Sequence, residues 1–384
     1  MKTESAISLV AVFLLACNVT FAAPFNAGST GADGPLIVTS NRTLNLPPDG
    51  IFNFTSITVA PNATLTFTRN PLNTPVYLLA TTDVVINGVI DVSGKEHQGV
   101  VAGVGGPGGF DGGFGGFGLN NTAGDGLGPG AGRGSAGNGT FGTNYANALL
   151  VPLIGGSGSA GVNGNPGLGG QGGGGAILIA SSAKLTVNGA IRAIGGEVAS
   201  DCYDATYYGA GSGGAIRLVA AIVDGNGFLD TRGGIARYTD HPSWYCRATV
   251  YAGAGRIRID CQDRNAFRLI TYAGTSSRGS QMFVFPPVVP RLDITAAAGT
   301  TIAEGTGQSV SIELPVGSPT NQVVRVQARN FANDVPIQVI VTPENGPSRT
   351  FSTNISLLSG NPPNVAVNVT IPLGTVNRIN AWTR

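Results

Sequence analysis

The strongest constraint on the fold of this chain is a repeated sequence motif. It consists of an apolar strand, a corner at Asn-Gly, a second short strand, and then glycine. Copies span residues 77–94, 176–196 and 215–234, and a fourth begins at residue 256 without Asn-Gly. Apolar and polar residues alternate with period two, which is typical of a β-strand with one buried face. A single copy cannot bury that face alone, so we expect the copies to stack around one continuous core. Aligned in this way, they form two apolar columns: Ile177, Ile216 and Ile257, and Ile179, Leu218 and Ile259.

The Asn-Gly corners allow two interpretations. Both residues tolerate positive φ angles, and Asn-Gly commonly closes a two-residue β-hairpin, which would pair the strands of one copy antiparallel. Alternatively, Asn-Gly turns the chain from one face of a solenoid coil to the next, and equivalent strands of successive copies pair in parallel. The copies share one order of elements, which favours the solenoid. We therefore predict an all-β fold whose first part is a right-handed parallel β-helix with long glycine-rich loops.

Four segments carry a resemblance to known sequences: Pro152–Gly158, Gly172–Ala180, Gly211–Leu218 and Gly255–Ile259. Their glycine-rich sequences resemble those of a group of bacterial exported proteins with a predicted β-helical fold and no assigned function. The resemblance covers about residues 52–260. It implies a β-helical fold and a secreted setting, and it implies no particular activity.

The composition is that of a folded, β-rich exported chain. Sixty of the 384 residues are glycine and only 11% are charged, but 42% are hydrophobic, which is too many for a disordered chain. The formal net charge of +1, without any basic run, excludes a general attraction to nucleic acid. We expect no transmembrane segment, because no apolar stretch has the length of a bilayer.

Residues 1–22 are predicted to be a signal peptide. Lys2 precedes an apolar stretch, residues 6–16, that is too short to cross a bilayer, and cleavage after Ala22 fits the small residues there. Alternatively, the sequence ending in Cys17 resembles a bacterial lipobox, in which Cys17 is lipidated and becomes the mature N-terminus. In either case we expect the protein to be secreted or held at the cell surface.

Beyond the signal peptide we predict three parts. The parallel β-helix covers residues 23–283 and contains a glycine-rich insertion at about 95–172. A proline-rich linker follows at 284–291. Residues 292–384 contain short alternating segments separated by turn residues, a pattern typical of a small immunoglobulin- or fibronectin-like β-sandwich.

Three long insertions, at about 95–172, 197–212 and 235–254, begin just after the glycines that close a copy. If the copies stack in register, these loops leave one edge of the solenoid side by side, and any function is expected at that edge. The first insertion contains Gly-Gly-Phe triplets. These suit either packed polyglycine II-like segments, with three residues per turn, or a mobile loop.

The cysteines predict one disulfide. Cys202 and Cys246 lie in two insertions that leave consecutive coils at the same place, so we expect them to pair in an oxidising compartment. Cys261 ends an alternating strand and is expected to be a small buried apolar residue.

Aromatic residues are concentrated in the second and third insertions. Their rings have apolar faces and a polar O–H or N–H group, so they suit stacking on sugars. They equally suit packing on each other, which would order two irregular loops. The candidate carbohydrate-binding residues are Tyr203, Tyr207, Tyr208, Trp244, Tyr245 and Tyr251.

The sequence offers no catalytic centre. Histidine occurs only at His97 and His241, neither lies in a motif, and both are expected to be solvated loop residues. We expect no catalytic residue, no cofactor and no metal site. Asp91, Arg192 and Asp230 share one position in their copies, which predicts a salt-linked ladder on the outer face. Other outward positions on neighbouring coils are Arg217, Arg256 and Arg258.

These features predict an exported structural or adhesive protein of the cell surface or envelope, without catalytic activity. The alternative is a carbohydrate-binding protein that uses the aromatic loops, with polysaccharide or other surface components as partners. A polysaccharide lyase or glycosidase is a third hypothesis, which the missing cluster of carboxylates disfavours. No nucleic-acid partner is expected.

Overall fold

The computed structural model describes most of the chain beyond residue 24. Within these ranges the fold is all-β, and they contain no helix. The described ranges are 25–117, 123–135, 138–143, 145–164, 166–201, 209–239, 248–263, 268–272, 275–305 and 309–383.

Strands up to the end of the first insertion are mostly short. They are β1 (Leu36–Val38), β2 (Arg42–Asn45), β3 (Ile51–Phe54), β4 (Ile57–Val59), β5 (Thr64–Thr68), β6 (Val76–Ala80), β7 (Val84–Ile86), β8 (Val89–Asp91), β9 (Gly116–Phe117), β10 (Gly134–Ser135), β11 (Asn138–Gly139) and β12 (Asn163–Gly164).

The strands that follow are longer on average. They are β13 (Ala176–Val187), β14 (Ala190–Arg192), β15 (Val198–Asp201), β16 (Ala215–Asp224), β17 (Phe228–Asp230), β18 (Ile235–Thr239), β19 (Ala248–Tyr251), β20 (Arg256–Asp263), β21 (Ile270–Tyr272) and β22 (Thr275–Gly279). The last group is β23 (Arg291–Ala297), β24 (Thr300–Thr301), β25 (Asn321–Arg329), β26 (Val335–Pro343), β27 (Arg349–Ile355), β28 (Asn364–Thr370) and β29 (Asn377–Thr383).

Two parallel sheets run through the first part of the chain. The first sheet has the order β1-β4-β7-β13-β16-β20-β22, with β6 also beside β13 and β3 beside β6. The second has the order β2-β5-β8-β14-β17-β21. Ile177 pairs with Ile216 and Ile216 with Ile257, so the predicted register of the apolar columns is confirmed. Stacked parallel sheets of this kind are compatible with a β-solenoid.

The Asn-Gly corners connect the two sheets. β7 lies in the first sheet and β8, directly after Asn87-Gly88, lies in the second, and the same holds for β13 with β14 and for β16 with β17. Strands on either side of a corner therefore do not pair with each other. The hairpin interpretation of these corners is wrong, because each strand finds its partner in the neighbouring copy.

The main core lies between the two parallel sheets. It contains the inward residues of both predicted columns, such as Ile179 and Leu218, which are fully buried. Inward residues of the second sheet, Ile191 and Leu229, complete it. Cys261 belongs to this core and is 4% exposed, as the sequence predicts.

The outer face of the first sheet is also covered, and this corrects the prediction for two arginines. Arg217 is 1% exposed and Arg258 is 7% exposed, although both occupy the outward column. A second apolar cluster buries this face, because Phe25 and Val284 from two distant segments pack against it. Arg256, the third residue of that prediction, is half-buried, and its Nε donates a hydrogen bond to the Tyr145 carbonyl at 3.0 Å.

One carboxylate pairs with both buried arginines. Asp260, which is fully buried, accepts hydrogen bonds from Arg258 at 2.6 and 3.0 Å and from Arg217 at 3.4 Å. Arg217 also donates to the Phe283 carbonyl at 2.9 Å and lies 4.8 Å from that ring centre. Burial lowers the pKa of Arg217, and the charge of Asp260 opposes this shift. The cluster ties residues 281–283 to the sheet, since Asp260 also accepts from the Gln281 amide at 3.0 Å.

Two antiparallel sheets form the last part of the chain. Their strand orders are β24-β23-β25-β28 and β27-β26-β29. Alternating residues from both sheets, including Val324, Val326, Val339 and Val341, share one apolar core that is separate from the first.

Candidate functional site at the insertion edge

The three insertions lie side by side, as the sequence predicts. The Ser212 amide donates to the Ser157 carbonyl at 2.9 Å, which joins the second insertion to the first. Gly142 joins all three, because its amide donates to Ala210 at 3.0 Å and its carbonyl accepts from Gly253 at 2.9 Å. The edge is therefore a continuous hydrogen-bonded layer.

Hydrogen bonds within this layer repeat every three residues. Phe110, Gly113 and Gly116 donate in turn to Gly156, Ser159 and Val162. Gly167, Gly170 and Gly173 donate in turn to Gly116, Gly113 and Phe110. A period of three, with bonds only to other segments, is typical of the extended helix with three residues per turn. Of the two alternatives for the first insertion, its described part has the packed polyglycine II-like arrangement, and we call this layer the glycine bundle.

Glycine is required here because backbone packs directly on backbone. A Cβ atom on Gly173 would lie 2.0 Å from the Gly156 carbonyl oxygen, and one on Gly214 would lie 1.8 Å from that of Gly175. No side chain fits at such distances. The glycine-rich composition therefore reflects close packing of ordered segments.

A small sheet, β15-β18-β19, rises from the second and third insertions. Asp201 at the end of β15 pairs with Thr239 at the end of β18, and Tyr238 pairs with Ala248 at the start of β19. Asp201 and Ala248, the described residues nearest to Cys202 and Cys246 in the sequence, thus lie at the same end of the sheet. The cysteines themselves lie outside the described residues, and their disulfide stays a prediction.

Most of the predicted aromatic site also lies outside the described residues. This applies to Tyr203, Tyr207, Tyr208, Trp244 and Tyr245, and likewise to Cys17 and His241. Tyr251 is described: it lies on β19 opposite Ile235 and is 63% exposed. One ring of the predicted set is therefore open to solvent at the insertion edge.

His97 is held by the glycine bundle. Its Nδ1 lies 2.7 Å from Nε2 of Gln171, a fully buried residue, and its amide donates to Oε1 of the same side chain at 2.9 Å. The prediction of a solvated loop histidine is thus wrong in part, because the histidine is half-buried and anchored. Its partner is an amide, so this contact holds the ring in place and assembles no acid–base pair.

The predicted salt-linked ladder is replaced by contacts between arginines and aromatic rings. Register pairs Asp91 with Arg192 and Arg192 with Asp230 as expected, but Asp230 forms its ion pair with Arg232, at 2.6 Å. Arg192 instead lies over the ring of Phe228, 5.9 Å from its centre. This geometry is favourable for a cation and a π face.

The contacts continue to the last strand of the second sheet. Phe228 meets Tyr272 edge to face, with ring centres 6.2 Å apart, and Arg232 lies 5.2 Å from the centre of the Tyr272 ring. The hydrogen bond from Arg232 to Asp230 raises the pKa of Arg232. We call Arg192, Phe228, Asp230, Arg232 and Tyr272 the arginine–aromatic column. The sequence prediction missed it because β21 follows a fourth copy that lacks Asn-Gly.

The glycine bundle also contacts the C-terminal sheets. Phe110 meets Trp382 edge to face, with ring centres 5.3 Å apart. Asp111 lies between Arg69, at 2.5 Å, and Arg378, at 3.5 Å. Burial raises the pKa of Asp111, but the hydrogen bond and charge of Arg69 outweigh this effect and hold the pKa below its usual value.

No protein-family model, curated protein or solved structure matches this chain. Among the described residues, no three His, Cys, Asp or Glu side chains are close enough to share a metal ion. The same part of the chain contains no helix of the length and apolar character needed to span a membrane.

Proposed function

We propose that this is an exported structural or adhesive protein of the cell surface, without catalytic activity, that presents loops from a rigid platform. The observation that carries the proposal is the glycine bundle, in which three insertions from distant parts of the chain are joined by backbone hydrogen bonds every three residues. Such a layer restrains the backbone on several sides. The described segments of this layer therefore keep fixed relative positions, as a contact surface requires.

The proposed architecture extends the description of the sheets. Residues 23–283 are one right-handed parallel β-helix, since parallel crossover connections are almost always right-handed. Residues 292–384 are an immunoglobulin- or fibronectin-like sandwich, supported by antiparallel sheets of four and three strands around one core. Residues 284–291 link them, and residues 1–22 are a signal peptide. If Cys17 is lipidated instead, the signal ends before it and Cys17 is the mature N-terminus.

Carbohydrate binding is the second candidate function. It is favoured by the exposed ring of Tyr251 on β19, in the same insertion of the sequence as Trp244 and Tyr245. An exposed tyrosine offers apolar area and a hydroxyl to a sugar face.

Fractionation and adhesion assays test the main proposal. The full chain is expressed in a Gram-negative host, and the N-terminus of the product and its accessibility to protease on intact cells are determined. We expect loss of the first 22 residues, or lipidation at Cys17, together with surface exposure and increased attachment of the cells to surfaces or to each other. An intact N-terminus in the cytoplasmic fraction would overturn the export proposal. Turnover of a polysaccharide by the purified protein would overturn the non-catalytic one.

A further inference from the structure

The arginine–aromatic column has the properties of a ligand-binding surface. It lies on the outer face of the second parallel sheet, where neighbouring strands are about 4.8 Å apart, so its side chains follow each other in rows. Tyr272 is 45% exposed and Ile270 beside it is 52% exposed. These side chains lie on an open sheet face with rings and guanidinium groups side by side.

The charges of this surface cancel. Arg232 donates three hydrogen bonds to the Asp230 carboxylate, from Nε at 2.9 and 3.2 Å and from Nη2 at 2.6 Å, so the pair is neutral. Asp91 lies beside Arg192 in the register and offsets its charge. A surface of this kind has no net attraction for a polyanion or a polycation. It therefore suits a neutral ligand.

The functional groups suit a ligand with both an apolar face and several hydroxyl groups. Aromatic rings provide the apolar area, and guanidinium groups provide several N–H donors in one plane. The Asp230 carboxylate is buried and serves Arg232, so the rings and guanidinium groups are the groups offered to a ligand. Arg192 is suited to donate to a ligand, because its described contact is with a ring face and leaves its N–H groups available. A neutral sugar presents this combination of groups.

The arrangement also suits a chain of sugars better than a single one. An isolated sugar on an open sheet face would bury little area, whereas successive units of a polymer can contact successive strands at once. From these observations we propose that the arginine–aromatic column binds a linear neutral polysaccharide along the stacking direction of the strands. This inference rests on the proposed adhesive function and names a partner and a surface for it, separate from the aromatic loops.

Binding of the purified full-length protein to soluble polysaccharides tests the inference. The probes are neutral chains (a β-glucan, a xylan, a mannan and dextran) and anionic chains (alginate and polygalacturonate), compared by affinity electrophoresis and biolayer interferometry. We expect at least one neutral chain to bind and Tyr272→Ala to weaken this binding about tenfold or more, the usual range for loss of an aromatic anchor. Tyr272→Phe keeps the ring and should stay within about threefold of the original affinity.

Two further variants separate a binding role from a structural one. Arg192→Gln removes a half-exposed side chain and should weaken binding without lowering the melting temperature. Leu358→Ala, which removes an exposed apolar side chain from the C-terminal part, should leave this binding unchanged. If Tyr272→Ala lowers the melting temperature, its loss of binding can come from unfolding. The Arg192→Gln variant then decides whether the column binds the polysaccharide.

Three outcomes would overturn the inference: no binding of any neutral chain, equal binding by the original protein and Arg192→Gln, or tighter, salt-sensitive binding of the anionic chains. If cells that carry the protein still adhere in any of these cases, the adhesive proposal survives and only this surface is excluded.

Discussion

Replacement of Asp260 by alanine tests the buried charge cluster most directly. The carboxylate is fully buried and serves two guanidinium groups that are 1% and 7% exposed, so its removal leaves both without an anion. Removing one partner of a buried ion pair typically costs about 3–5 kcal/mol. Arg217 keeps its 2.9 Å hydrogen bond to Phe283 and its contact with that ring. We therefore expect Asp260→Ala to lower the free energy of unfolding by about 4 kcal/mol, within this range.

The measurement is urea unfolding of the variant and of a matched control. Asp224→Ala removes an acidic partner from an exposed pair, in which Lys184 and Asp224 are 2.6 Å apart with side chains 43% and 32% exposed. Exposed pairs contribute about 0–1 kcal/mol, so this control should unfold nearly as the original protein does. If the two variants lose the same stability, the reasoning from burial is refuted.

A second readout and a rescue variant make the test specific. Because the cluster holds residues 281–283, Asp260→Ala should also accelerate cleavage of this segment by a nonspecific protease. Replacing the whole cluster by apolar residues (Arg217→Met, Arg258→Met and Asp260→Leu) removes every buried charge and should recover most of the lost stability.

Three other predictions concern the glycine bundle and its contact with the C-terminal sheets. Gly173→Ala places a Cβ 2.0 Å from a carbonyl oxygen and should cost about 3 kcal/mol or more, whereas Gly134→Ala, whose nearest atom would be 3.0 Å away, should cost under about 1 kcal/mol in the same urea assay. Trp382→Ala removes the ring that meets Phe110 and should lower stability by about 2 kcal/mol, with faster proteolysis between the two parts of the chain. The pKa of Asp111 is lower in the folded protein than in the unfolded chain. Its contribution to the free energy of unfolding is therefore present above about pH 4 and is lost as the pH falls through that lowered pKa. The melting temperatures of the original protein and of Asp111→Asn should therefore differ at pH 6 and converge toward pH 2, and a constant difference would contradict this assignment.

The strand register was predictable because it depends on local alternation. Ile216 and Leu218 are two residues apart with Arg217 between them, so the inward face of the strand is visible in the sequence alone. Whether the outward face is exposed depends on chain segments far away. Phe25 and Val284 cover it, and nothing in the sequence around Arg217 indicates this. The alternation therefore predicts the correct row for Arg217 and Arg258 but the wrong environment.

The arginine–aromatic column was missed for a related reason. Its rows are visible only when β21 is aligned with β17, and the fourth copy has no Asn-Gly to mark where β21 begins. The alignment places Asp230 and Arg192 in one row correctly, but the ion pair that it predicts between them does not form. Asp230 forms its ion pair with Arg232, which is two residues further along the chain. Arg232 and Arg192 compete for the same carboxylate, and the nearer of the two forms the contact.

The glycine bundle shows why the triplet spacing in the first insertion matters more than the amount of glycine. Each buried amide needs an acceptor, and in a helix with three residues per turn successive amides point about a third of a turn apart. Gly167, Gly170 and Gly173 face one neighbouring segment, while Gly169 and Gly172 donate to another, at Gly99 and Lys95. Deleting one residue between Gly167 and Gly173 would turn the donors on one side of the deletion by a third of a turn and leave several buried amides without partners. A segment with the same glycine content, but with its donors shifted by one residue, therefore cannot form the same hydrogen bonds. The three-residue spacing, like the period-two alternation of the strands, is part of what specifies this fold.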